Sequence, residues 1–238
     1  RLLNLSMNNE ISKNIEILNK YDVKLSVISN VNNINVYYPV ETYAFIKSLG
    51  FKNIDFIPFV KRLSVFSDQS TLVGQDYEGE ASLSEASVIP DLFGKFLSRV
   101  FDEWIRNDIN NLNINYIRNA LNSWLGMEQD FCMVSPMCGN VLVTDFNGDV
   151  YSCEHYIYPQ FKLGNIAEDD LREMVKTERQ LKFGYFKKDS LSKKCKNCKF
   201  LFACNGDCPK NRFEITSAGD KISYLCEGFR YYYGYIDK

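Results

Sequence analysis

Eight cysteines fall between positions 132 and 226 of this 238-residue chain, and none lies among the first 131 residues. Thiol chemistry therefore constrains the second half and leaves the first half to ordinary core-forming rules. The spacing reads Cys132-x5-Cys138-x9-Gly148-x4-Cys153, then a long gap, then Cys195-x2-Cys198-x5-Cys204-x3-Cys208-x17-Cys226. A disulfide framework belongs to small secreted domains and rarely sets such a close pair beside another. Two sets of four ligands around metal are the better reading. A two-residue gap lets one loop offer two sulfurs to a single centre. Only one such knuckle occurs, and gaps of five, three and seventeen surround it. That pattern suggests interleaved sites rather than two zinc ribbons. The residues alone leave iron–sulfur clusters and structural zinc both open.

Composition removes other classes. Lys plus Arg number 28 and Asp plus Glu 30, a net charge of -2. This balance gives no electrostatic footprint for a nucleic-acid backbone or an anionic membrane. Hydrophobic residues at 45% and charged residues at 24% match a globular chain. No apolar run approaches the roughly 18 residues of a spanning helix. The chain starts Arg1-Leu2-Leu3, without an initiator Met or a signal-peptide pattern, so a processed or truncated N-terminus is expected.

The first segment alternates helix and strand. Ile11, Ile15 and Leu18 recur at helical spacing, and Val23 to Ile28 alternates as a strand. Val40 to Leu49 reads as a helix stopped by Gly50, and Ile54 to Phe59 as a second strand. This α-β-α-β order is that of a parallel sheet with crossover helices. Two strands cannot stand alone, so the segment reads as the tail of a larger domain. Residues 67–90 read as a surface connection. Phe93, Phe96, Val100, Trp104 and Ile105 mark an amphipathic helix, and Tyr116 to Leu125 another. Beyond Cys132, Asn147-Gly148 predicts a hairpin that returns Cys153 toward Cys138. Asp169 to Leu181 reads as a helix. Lys187, Lys188, Lys193 and Lys194 read mainly as solvated surface, with charge compensation of a thiolate-bound cluster as the second possibility.

The stretch from Cys138 to Cys226 resembles the seven-cysteine signature of the SPASM domain, the auxiliary-cluster module of a radical S-adenosylmethionine (SAM) subfamily. Gly148-Asp149-Val150-Tyr151-Ser152-Cys153-Glu154-His155-Tyr156 and Lys162-Leu163-Gly164-Asn165-Ile166 resemble the anaerobic sulfatase-maturating enzymes. Cys208-Pro209-Lys210-Asn211-Arg212-Phe213 and Tyr224-Leu225-Cys226-Glu227-Gly228 do so as well. The resemblance implies an α/β fold: the C-terminal part of a partial (β/α)6 TIM-like barrel, then an irregular α+β SPASM domain with a β-hairpin. It places the last barrel strands and helices in 1–66, with Phe56-Ile57-Pro58 as the final strand. Connecting elements would occupy 67–127 and the SPASM domain 128–238.

It also implies two [4Fe–4S] clusters, one on Cys132, Cys138, Cys153 and Cys208 and the other on Cys195, Cys198, Cys204 and Cys226. Full coordination would leave neither cluster an open iron for SAM. A third cluster and SAM would belong to the full-length enzyme, because no Cys-x3-Cys-x2-Cys loop occurs here; the chain alone is expected to be inactive. In the family, a Cys or Ser of a sulfatase is oxidised to formylglycine, and an acidic residue after the third cysteine takes the proton. That position is Glu154, where the family usually carries Asp. Either carboxylate can act as base, and the extra methylene moves its oxygens by about 1 Å. His155, the sole histidine, is not assigned a catalytic role. Implied partners are a sulfatase polypeptide and an electron donor such as flavodoxin or ferredoxin, without nucleic acid or membrane, in a cytoplasmic setting. The alternatives are a maturase of a ribosomal peptide and a non-catalytic zinc-binding four-cysteine module.

Overall fold

Parallel strand pairing organises the first half. The computed structural model describes residues 5–64 and 79–238. Helix α1 (Leu5–Lys20) leads into β1 (Val27–Val31), α2 (Pro39–Ser48) and β2 (Asn53–Pro58). A pair of short antiparallel strands, β3 (Arg62–Ser64) and β4 (Ala81–Leu83), precedes α3 (Pro90–Asn107), β5 (Asn113–Ile114) and α4 (Asn115–Trp124). Strands β1, β2 and β5 form one parallel sheet with β2 central, Val27 facing Ile54 and Ile54 facing Ile114. Val31, Ile54, Phe56 and Ile114 are buried on its covered face, whereas Ile28 and Asp55, paired across the other face, are not.

The observed strand begins at Val27 rather than Val23, because pairing with the six-residue β2 sets its register. Phe56-Ile57-Pro58 is not the final strand of this sheet: β5 follows it, and its two residues are too few to carry a sequence signal. Residues 67–78 of the expected surface connection lie outside the described residues, and 81–83 form β4. Ile105 points outward, while Phe93, Phe96, Val100 and Trp104 face the core. Asp108, just past α3, accepts hydrogen bonds from Tyr43 (2.7 Å) and Lys47 (2.8 Å) and so ties α2 to α3.

The second half is built of short pieces. Strands β6 (Val143–Thr144), β7 (Asp149–Tyr151) and β8 (Lys162–Asn165) form an antiparallel sheet. Gly148 turns the expected hairpin with a left-handed φ of 86°. The helix expected over 169–181 is two helices, α5 (Leu171–Met174) and α6 (Glu178–Asp189). Asp170 accepts from the Arg172 N–H and Thr177 from that of Gln180, so each starts its own helix. There follow α7 (Lys193–Lys196), α8 (Leu201–Cys204), a ribbon of β9 (Glu214–Ile215) and β10 (Lys221–Ile222), and α9 (Cys226–Ile236).

One core joins the halves. Phe93 and Phe96 of α3, Tyr116 of α4 and Phe229, Tyr232 and Tyr233 of α9 belong to the same buried cluster as the sheet, as does Cys208. Among the described residues, no helix is long and apolar enough to cross a membrane.

Candidate metal centres

All eight cysteines are free. The thiol of Cys153 lies within electrostatic reach of Cys132 and Cys138, and that of Cys208 within reach of Cys138. Cys204 is coupled to Cys195 and Cys226, and Cys226 to Cys195 and Cys198. The latter four line a single cavity of about 410 Å3, walled by Phe200, Leu201, Phe229 and Tyr233. Thiols interleaved along the chain thus sort into two sets in space.

Sorting depends on the loop between Cys204 and Cys208. Two residues four apart on a helix would share a face. Instead Asn205, Gly206 and Asp207 all adopt left-handed conformations (φ 47°, 73° and 60°) and turn the chain between them. A Cβ on Gly206 would also lie 2.4 Å from a terminal methyl of Leu191, which would have to move aside. Arg212 clamps the loop, donating to the carbonyls of Gly206 (2.8 Å), Asn205 (3.0 Å) and Asp207 (3.1 Å). The buried Asp207 carboxylate accepts from Ser223 (2.7 Å) and Asn211 (2.9 Å), although burial still pushes its pKa up.

The first set is organised by α6, which carries no cysteine. Its buried residues Gln180, Gly184 and Lys187 follow i, i+4, i+7 spacing along one face. The Gly184 carbonyl accepts from the Cys138 N–H (3.1 Å), and Gln180 donates to the Gly139 carbonyl (2.9 Å). A Cβ on Gly184 would lie 2.9 Å from the Cys138 oxygen, so only glycine admits this approach. Lys187 donates to the carbonyls of Cys132 (2.7 Å) and Met133 (2.9 Å). Of the four lysines read as surface, Lys187 is therefore a correction. It is fully buried, whereas Lys188, Lys193 and Lys194 are exposed. Burial lowers its pKa, opposed by the negative groups at Cys138, Cys208 and Asp207. Asn119 of α4 positions the approach to Cys132, accepting from the N–H groups of Asp130 (2.9 Å) and Phe131 (3.1 Å).

Neither Asn119 nor the α6 face was singled out from sequence. The polar stripe Gln180, Gly184, Lys187 was the available signal, and it was hidden once the helix was ended at Leu181.

Glu154, next to Cys153, has a side chain 70% exposed, and its charge reaches the thiols of Cys132 and Cys153. His155 Nε2 lies 3.8 Å from Glu154, and burial, aided by Lys210, lowers the imidazole pKa to about 4. His155 is therefore neutral near pH 7, and the contact is not an ion pair. The His155 N–H points at the Cys153 sulfur (3.5 Å).

Burial raises the pKa of six thiols: Cys132, Cys138, Cys204 and Cys208, with Cys153 and Cys226 each reaching about 11. In metal-free, reduced protein the unfolded chain ionises these thiols near pH 8.5 while the folded chain keeps its protons. Their contribution to stability is therefore present below about pH 8.5 and falls as pH rises through about 11. Urea midpoints of the chelated protein at about pH 8 and about pH 10.5 should show that fall, and a flat profile would contradict it.

Among the described residues, no group of three or more His, Cys, Asp or Glu side chains is set to hold one metal ion. A zinc ion at about 2.3 Å from each sulfur would draw four thiolates to within roughly 4 Å of one another. The second set rims a cavity of about 410 Å3, which is room for more than a single ion.

Comparison with known proteins agrees. Residues 136–199 match the SPASM model, an iron–sulfur cluster-binding domain. A serine-type anaerobic sulfatase-maturating enzyme of Bacteroides thetaiotaomicron is 39% identical over 95% of this chain and 55% of its own length. The chain is a homologue of the anaerobic sulfatase-maturating enzymes. A cysteine-type sulfatase-maturating enzyme of Clostridium novyi is 26% identical over 94% of the chain and 57% of its own length. The solved anSMEcpe with bound AdoMet superposes with a TM-score of 0.75 at 22% identity, covering 96% of this chain and 57% of that one. That enzyme was also solved with AdoMet and the Kp18Cys peptide, with the same TM-score and 60% of its chain covered. The likeness shows a shared mixed α/β fold with a SPASM domain. This chain spans just over half the length of the curated sulfatase-maturating relatives it matches.

Proposed function

We propose that this chain is the auxiliary-cluster part of a radical SAM enzyme that oxidises a Cys or Ser of a sulfatase to formylglycine. Cys132, Cys138, Cys153 and Cys208 would hold one [4Fe–4S] cluster, and Cys195, Cys198, Cys204 and Cys226 a second. The observation that carries this reading is the sorting of interleaved thiols into those two sets. When bound, such clusters accept and pass single electrons. The protein's own part is to exclude water, hold the ligands and place a base. Glu154 projects into solvent beside the first set, where a substrate peptide can reach it, and takes the proton released as the side chain is oxidised. Neutral His155, 3.8 Å away, leaves the charge of that carboxylate uncompensated.

In this reading residues 1–66 are the last strands and helices of a partial TIM-like barrel, 67–127 connect, and 128–238 are the SPASM domain. SAM and its own cluster belong to the full-length enzyme, as does docking of a flavodoxin- or ferredoxin-like donor in the cytoplasm.

Anaerobic reconstitution with ferrous iron and sulfide is expected to load about eight irons per chain. A colourless protein holding about two zinc ions would overturn the reading in favour of a binding module. In the full-length enzyme, Glu154→Gln is expected to lower formylglycine formation on a sulfatase peptide by about 100-fold or more with iron content unchanged. Glu154→Asp should retain turnover, and an active Gln variant would remove Glu154 from the mechanism.

A further inference from the structure

The two thiol sets differ in the charges built around them. Two cations beside the first are withdrawn from water. Lys187 is fully buried, and its ammonium donates to two carbonyl oxygens, those of Cys132 and Met133. Arg212, 8% exposed, donates to four carbonyls and to Ser190 Oγ. Among the described residues, neither has a carboxylate as a hydrogen-bond partner. The positive charge of Lys187 reaches the thiols of Cys132, Cys138 and Cys208, and that of Arg212 reaches Cys138. The two are linked, since Arg212 also donates to the Lys187 carbonyl at 2.7 Å.

Beside the second set three cations line the cavity: Lys199 and Arg230 are exposed and paired with Asp237 and Glu227, each at 3.4 Å, and the third, Lys194, reaches Cys226. Its side chain is 45% exposed and sits 3.3 Å from Glu227, whose negative charge reaches the same thiol. Water and the carboxylate cancel most of its field. Buried Asp207 acts on both Cys204 and Cys208, and it also faces Lys187 without a hydrogen bond to it.

We propose that Lys187, backed by Arg212, sets the reduction potential at the first site above that at the second. This rests on the two-cluster reading. Reduction adds one negative charge to a cluster, and a buried cation stabilises that charge far more than a solvated, paired one. The site beside Glu154 is then the better electron acceptor of the two.

The test is an EPR-monitored redox titration of the anaerobically reconstituted protein. Wild-type protein should give two reduction waves, with Cys138→Ser removing the higher and Cys195→Ser the lower. Lys187→Gln keeps a donor for the carbonyls but no charge. It should make reduction of the higher wave at least tenfold less favourable, a shift of about 59 mV, and leave the lower wave in place. Lys187→Arg should hold both waves near their wild-type positions. The proposal is overturned if the higher wave survives Cys138→Ser, or if Lys187→Gln moves neither wave or both equally. Should Lys187→Gln shed iron, the order of the waves in the two cysteine variants decides alone. Wild-type protein that takes up no iron overturns the cluster reading together with this proposal, whereas two intact clusters in reversed order overturn this one only.

Discussion

Gly228→Ala should cost the fold roughly 3 kcal/mol, although the substitution favours helix by up to about 1 kcal/mol. Gly228 lies on α9, and a Cβ there would sit 2.0 Å from the Pro90 carbonyl oxygen of α3. Gly94 of α3 is its counterpart, with an added Cβ 2.1 Å from the Gly228 oxygen. Backbone atoms cannot rotate away as a side chain can, so the helices must separate along a contact that includes Phe93 and Phe229. Overpacking therefore outweighs propensity. Cys226 opens α9, so the same shift should lower iron retention at the second site. Gly234, on the same helix, supplies the control: its Cβ would meet Phe200 at an ordinary 3.6 Å. Urea unfolding should find Gly234→Ala neutral or stabilised and Gly228→Ala strongly destabilised. Equal midpoints for the two would show that the close approach carries no energy.

The second large effect concerns two cysteines only four residues apart. Cys204→Ser and Cys208→Ser should each lower iron by about four per chain, yet each should abolish a different cluster. Cys204 lines the cavity shared with Cys195, Cys198 and Cys226, whereas Cys208 is coupled to Cys138. The double variant should therefore lose nearly all iron, and each single variant should keep the EPR signal that the other lacks. If both singles lost the same signal, the left-handed loop would not be separating the sites.

What was readable in the sequence follows from how locally each feature is determined. Helices α2, α3 and α4 announced themselves through apolar periodicity and through stops such as Gly50, whose φ is 84°. The hairpin at Asn147-Gly148 is a two-residue instruction. The division of the cysteines came from resemblance, since spacing alone left zinc and iron–sulfur clusters open. Features fixed by distant partners stayed hidden. Strand β1 was displaced because its register is set by β2, and β5 is two residues that matter only beside Asn53 and Ile54. Lys187 looked like its exposed neighbour Lys188, because nothing local shows that two carbonyls 54 and 55 residues upstream will receive it. Asn119 and Arg212 escaped notice for the same reason: their work is done on backbone atoms, which leave no mark in a side-chain pattern.

The crossing of ligands between the two halves of the cysteine pattern also bears on biosynthesis. On the proposed assignment, the first site waits for Cys208 and the second for Cys226, so neither can close while the chain is still short of those residues. Helix α6, which braces Cys132 and Cys138, is made after both of them and after Cys153. Cluster delivery is thereby deferred until Cys208 and Cys226 have been made, and the early thiols must be kept reduced during that interval.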